Sequence, residues 1–276
     1  MRVRTLQRIF VGVLLAVPVS APARALTGPA VDEVARHLIT YKSEGRPIRL
    51  EEFRPAAIEG SAPAVILLHG ASGIRHGALI YGQAQALAEN GIVAYVLHYF
   101  DGMTGGAKAK PTKFPVRDQI IEDALAYVSQ LPQVDDKRIG LFGFSLGAFH
   151  ALGLATKDER VIAVVAIGGG MPNQIPRDEI EKMPPTLIVH GARDRVVPVK
   201  RAREVASIMQ ELGADFDMVI WSGQQHMPKG LALEGTLNKV VAFFEQQFAR
   251  TIVAIERRST LDIRALVPDV GMLAPL

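Results

Sequence analysis

Between positions 34 and 250, short extended runs rich in β-branched residues alternate with amphipathic stretches of helical period. This alternation restricts the chain to an α/β architecture, a mainly parallel central sheet with helices on both faces. Strand-like runs lie at 64–68, 92–99, 138–142, 161–167, 186–189 and 216–221, and several are continuous β-branched runs, as expected of strands buried on both faces. A hairpin opens the series, because 34–41 and 48–53 flank Lys42-Ser43-Glu44-Gly45-Arg46-Pro47, a turn-rich break. Helical spacing puts Val116, Ile120, Ala124, Val128 and Leu131 on one face of a helix that starts at Pro115. A second helix starts near Pro198, and Leu237, Val240, Val241, Phe244 and Phe248 mark the last. No repeat or long linker interrupts the series, so 26–250 reads as one domain and 251–276 as a C-terminal extension with no assigned role.

The first 25 residues follow a different logic. Arg2, Arg4 and Arg8 precede an apolar run at 9–19, and Ala23-Arg24-Ala25 supplies an A-x-A cleavage signal. This is the pattern of a secretory signal peptide, and the apolar run is about half the ~20 residues that a spanning helix needs. Export to the periplasm or the extracellular space is expected, with no stable membrane insertion after cleavage. Removing the four arginines of 1–25 turns the formal net charge of +3 into −1, which leaves no basic excess to argue for nucleic acid. The absence of cysteine excludes a disulfide framework, a thiolate zinc site and a thiol nucleophile.

Two glycine clusters do not bind phosphate by pattern. Gly102-Met103-Thr104-Gly105-Gly106-Ala107-Lys108 lacks the ending of a P-loop and reads as a surface loop. Gly168-Gly169-Gly170 ends a strand and reads as backbone clearance beside the turn described next.

Gly143-Phe144-Ser145-Leu146-Gly147 lies between an apolar run and a helical segment. A G-x-S-x-G sequence in that context is a strand-to-helix turn tight enough to hold the serine hydroxyl out of the chain, and its glycines avoid collisions as the backbone reverses. A serine hydroxyl is a weak nucleophile and needs a base within hydrogen-bond reach. His226, in Gly223-Gln224-Gln225-His226 after the last strand, is the candidate base. Asp194, in Gly191-Ala192-Arg193-Asp194 before the helix near Pro198, can orient the imidazole and fix its tautomer; capping the helix is the alternative role. Arg193 and Arg195 flank it. The backbone amides of Ala71, in His69-Gly70-Ala71-Ser72-Gly73, and of Leu146 can hold a developing oxyanion. His69 and His190 each end a strand ahead of a glycine and read as supporting residues, whereas His37, His76, His98 and His150 lack a comparable partner pattern.

The order Ser, Asp, His matches the α/β-hydrolases, and the chain resembles their dienelactone hydrolase-like group. The segment at 69–73, the tripeptide Tyr99-Phe100-Asp101, the turn around Ser145, the Asp194 segment and His226 carry the resemblance. It implies an α/β-hydrolase fold with Ser145, Asp194 and His226 as a catalytic triad. Dienelactone hydrolases use cysteine where this chain has Ser145, and Met227-Pro228 stands where that group has Gly-Phe after the histidine. These departures point away from the dienelactone substrate and leave acyl transfer to water intact. The stretch at 168–185 is too short for a cap domain, so an open cleft is expected, with the loop at 101–113 as one wall.

These readings converge on an exported serine hydrolase that cleaves a small-molecule carboxylic ester through an acyl-enzyme, without metal or organic cofactor. A peptidase, thioesterase or amidase could use the same triad. A binding protein that keeps the fold without catalysis is the alternative from another class.

Overall fold

The computed structural model of the protein describes residues 34–101 and 114–266. The expected signal peptide at 1–25, nearly all of the expected loop wall at 101–113, and residues 267–276 lie outside this description.

The strands are β1 (Val34–Ser43), β2 (Arg46–Pro55), β3 (Ala62–Leu68), β4 (Val93–Leu97), β5 (Val134–Phe144), β6 (Val161–Ile167), β7 (Thr186–Gly191) and β8 (Phe216–Trp221). They form one sheet in the order β1-β2-β4-β3-β5-β6-β7-β8. β1 pairs antiparallel with β2 and β2 with β4, while every later pairing is parallel. The expected hairpin is therefore one edge of an otherwise parallel sheet.

The helices are α1 (Gly77–Glu89), α2 (Phe114–Val128), α3 (Leu146–Ala155), α4 (Lys200–Glu211) and α5 (Leu231–Leu266). Successive residues of a strand point to opposite faces, so β3 sends Ile66 and Leu68 to one side and Val65 and Leu67 to the other. The first side packs against Ile120 and Ala124 of α2, Ala151 and Leu152 of α3, and Val205 and Met209 of α4. The second packs against Leu79 and Leu87 of α1 and Val240 and Phe244 of α5. Both faces are covered, which explains why the central strands read as unbroken apolar runs.

The strand order creates the place for a site. From β3 the chain steps outward to β4, then returns through α2 to lay β5 against the other side of β3. Open α/β sheets take ligands at the carboxyl ends of strands where the winding reverses in this way. The register pairs Leu68 with Gly143 and Phe144 with Ile167, so the loops after β3, β5 and β6 leave the sheet side by side. Between β6 and β7 the chain forms a single 3-10 turn at Arg177–Glu179 and no cap domain.

Most element boundaries shift by one to three residues from the sequence reading, and two shift further. β5 starts at Val134 instead of 138, because the polar Asp135-Asp136-Lys137 segment stays extended while Asp135 accepts from the Lys137 amide and the Arg138 guanidinium. α5 continues past Arg250 to Leu266, so the extension begins as helix. Among the described residues no helix is long and apolar enough to cross a membrane.

Candidate active site

Ser145 is held by a backbone that few L-residues adopt. Its φ is 53° and its ψ −117°, and of the other non-glycine described residues only Glu44 has a positive φ. Such a conformation costs on the order of 1–3 kcal/mol and persists only where its surroundings enforce it. They do so here by close contact. A Cβ on Gly143 would lie 2.3 Å from the Gly147 carbonyl oxygen, and one on Gly147 would lie 2.2 Å from that of Leu68. The turn is fixed further by the Ser145 amide, which donates to Ile167 O at 2.8 Å, and by the Ser145 carbonyl, which accepts from the Ala148 amide at 2.9 Å.

The structure brings Ser145, His226 and Asp194 into one hydrogen-bonded line. His226 Nε2 lies 2.8 Å from Ser145 Oγ, and His226 Nδ1 lies 2.7 Å from Asp194 Oδ2. A carboxylate only accepts, so Nδ1 donates to Asp194 and Nε2 presents its lone pair to the serine hydroxyl. That is the tautomer a general base requires. The Asp194 side chain is fully buried, while His226 keeps about a fifth of its surface in solvent. Gly168, at φ +60°, passes beneath the imidazole where a Cβ would sit 3.3 Å from Nδ1. The clearance expected of that glycine is thus clearance for His226.

Asp194 orients His226 and does not cap the following helix, and its two oxygens have different partners. Oδ1 accepts from the amides of Val196 (2.8 Å) and Val197 (2.9 Å), closing the turn that follows β7. Oδ2 faces His226. α4 begins six residues later, so the amides that Asp194 satisfies are those of its own loop. Arg193 and Arg195 are exposed.

The two expected oxyanion donors flank the serine. Leu146 is the first residue of α3, so its amide has no acceptor within the helix. Ala71 follows Gly70, whose Cβ position is 3.2 Å from Ser145 Cβ. The 69–71 loop is braced from behind. The Tyr99 hydroxyl donates to the His69 carbonyl, and His69 Nδ1 donates to Gly70 O at 2.9 Å. The two rings stack with centroids 4.2 Å apart, and Phe100 meets His69 edge-on at 4.8 Å. Burial lowers the His69 pKa to about 4, so this imidazole is neutral at pH 7.

The remaining histidines have other partners. His37 contacts Glu52 at 3.0 Å and His98 contacts Glu51 at 2.6 Å. His150, fully buried in α3, bonds Asp118 at 2.7 Å and stacks on Phe114 at 3.9 Å. Beside them lies Arg117, which is 1% exposed and sits 5.1 Å from the centre of the Phe100 ring. Burial lowers its pKa. Nothing in the sequence singled it out, since an arginine between Val116 and Asp118 on an amphipathic helix reads as solvated. Among the described residues no group of three or more His, Asp or Glu side chains could hold a metal ion.

Comparison with known proteins bears on the family and the fold. Residues 53–227, more than half of the chain, match the family model described as "Dienelactone hydrolase family". A solved dienelactone hydrolase-like promiscuous phosphotriesterase from metagenomic libraries superimposes with a TM-score of 0.68 at 18% identity, over 78% of this chain and 99% of that one. The dienelactone hydrolase of Anabaena variabilis gives 0.63 at 19% identity, over 78% and 99%. At such identities the likeness is one of fold. Among curated proteins, the quorum-quenching protein AidA of Acinetobacter baumannii is 28% identical over 118 residues, 41% of this chain and 37% of that protein. The uncharacterized peptidase YuxL of Bacillus subtilis is 22% identical over 77% of this chain and 39% of its own length. The chain thus spans less than two-fifths of the length of these curated relatives. With the fold, the strand order and the family match in agreement, the chain belongs to the dienelactone hydrolase family of α/β-hydrolases.

Proposed function

We propose that this protein is an exported serine hydrolase that cleaves small carboxylic esters through an acyl-enzyme. The observation that carries the reading is the 2.8 Å and 2.7 Å contacts of one imidazole with a strained serine and a buried carboxylate. Ser145 Oγ attacks the ester carbonyl carbon while its proton passes to His226 Nε2, and the carbonyl electrons move onto oxygen. The amides of Leu146 and Ala71 stabilise that oxyanion; losing one such donor costs about 100- to 1000-fold in rate. The carbonyl re-forms as the alkoxy bond breaks, and Nε2 returns the proton to the leaving oxygen. Water then attacks the acyl-enzyme with its proton taken by Nε2, and the collapse that frees the acid restores the proton to Ser145. Throughout, Asp194 holds the ring and offsets its transient charge.

One relative is named as an uncharacterized peptidase, and the triad does not encode the leaving group, so amide cleavage is the second reading. Turnover of p-nitrophenyl esters against thioester and peptide panels separates the two. Ester turnover that depends on Ser145 supports the proposal, and peptide cleavage without ester cleavage contradicts it. The 1–25 segment supports export. An N-terminus found at Leu26 in secreted or periplasmic material tests that part.

A further inference from the structure

His190, at the end of β7, is a second imidazole on the same carboxylate. Its side chain is fully buried, and its Nε2 lies 2.8 Å from Val197 O and 3.2 Å from Asp194 Oδ2. Both neighbours are acceptors, so Nε2 carries the proton. Nδ1 is buried without a hydrogen-bond partner, which makes it the bare nitrogen. The opposite tautomer would bury an unpaired N–H and set a lone pair against two oxygens, and the imidazolium would also bury an unpaired N–H.

Asp194 therefore accepts three hydrogen bonds, from the Val196 and Val197 amides on Oδ1 and from His226 on Oδ2, and His190 Nε2 lies against the same Oδ2 at 3.2 Å while its hydrogen bond goes to Val197 O. Val197 closes the arrangement, since its amide donates to the carboxylate while its carbonyl accepts from His190. Other charged groups on the surrounding segments are exposed: Arg193 and Arg195 on the same loop, Lys200 at the start of α4, Asp217 on β8 and Lys229 beyond His226. Arg201 of α4 is occupied by Met171 O, Asn173 and Glu204.

We infer that His190 is a positioning residue for the reaction: its Nε2–H, donated to Val197 O and 3.2 Å from Asp194 Oδ2, holds the carboxylate in line with His226 and offsets part of its negative charge. The inference rests on the catalytic reading of Ser145, His226 and Asp194. A carboxylate stripped of one donor holds an imidazolium more strongly. Without His190, His226 therefore keeps its proton to higher pH, and on the acidic side of the profile a smaller fraction of it is the free base.

The test is kcat and KM against pH for the wild type, His190→Leu and His190→Gln. His190→Leu is expected to lower kcat about 10- to 100-fold, the scale for losing an outer partner that orients a histidine. KM should change little, and the acidic limb of kcat/KM should move upward by about half a pH unit or more. The amide of His190→Gln can donate to the same two oxygens and should return both quantities toward wild type. A folded His190→Leu enzyme with wild-type kcat and limb overturns the inference. Should His190→Leu not fold, 15N spectra of the wild-type imidazoles decide: the Nε2–H tautomer at neutral pH supports it, and Nδ1–H or imidazolium overturns it. Fluorophosphonate labelling separates this from the parent reading. A folded wild type that resists the probe defeats the triad itself, whereas a labelled wild type with an unmoved limb in His190→Leu defeats only the role of His190.

Discussion

The Tyr99 hydroxyl donates to the carbonyl of His69, and the two stacked rings brace the loop that carries Ala71 toward Ser145. Tyr99 is fully buried, so removing its hydroxyl leaves a buried carbonyl without that donor. Tyr99→Phe should lose about 1–3 kcal/mol of stability. It should also lower kcat more than it raises KM, because the loop matters most once negative charge has developed. Urea unfolding and steady-state kinetics on the same preparation check both halves.

The backbone at Ser145 separates two substitutions that both abolish the nucleophile. Glycine adopts φ 53° without steric cost, whereas alanine keeps the penalty. Ser145→Gly should therefore be more stable than Ser145→Ala by about 1–2 kcal/mol, with both inactive. Equal unfolding midpoints would mean that the elbow stores no strain.

Stability should depend on pH through His69. Its pKa falls from 6.5 in the unfolded chain to about 4 in the fold because burial penalises the charged ring. Between those values the unfolded state binds more protons, so stability rises with pH across the window and is lost as pH falls through it. The full effect is about 3 kcal/mol. Burial lowers His150 in the same direction. Urea midpoints measured from pH 4 to 8 should show this slope, and His69→Phe should flatten it.

Phe244 tests how α5 is attached. It is fully buried, and its ring lies 2.4 Å from where a Cβ on Gly140 would stand, so helix and sheet meet there without a spacer. Phe244→Ala should cost about 3–5 kcal/mol in urea unfolding. Loss of less than about 1 kcal/mol would show that the contact is not part of the cooperative core.

Much of this was legible from the chain. β6 was readable to the residue because a buried strand of Val, Ile and Ala has few other solutions, and β8 because Gly213 and Ser222-Gly223 bracket its short run. Ser145, Asp194 and His226 could be found by position, since each follows a strand whose carboxyl end must open on the same edge. What escaped is what burial alone reveals. Arg117 is invisible in a pattern that sorts charged residues to the surface, and the second ring on Asp194 depends on a turn bringing position 190 within reach of position 194. The continuation of α5 escaped for a different reason. Beyond Arg250 its Ile252 and Val253 are partly exposed, so no core-facing stripe announces the helix.

The most direct test is peptide mapping of the wild-type protein after reaction with a fluorophosphonate. A single adduct on the peptide containing Ser145, absent when His226 is replaced by alanine, is the result this account predicts. A folded protein that stays unlabelled, or one labelled elsewhere, would contradict it.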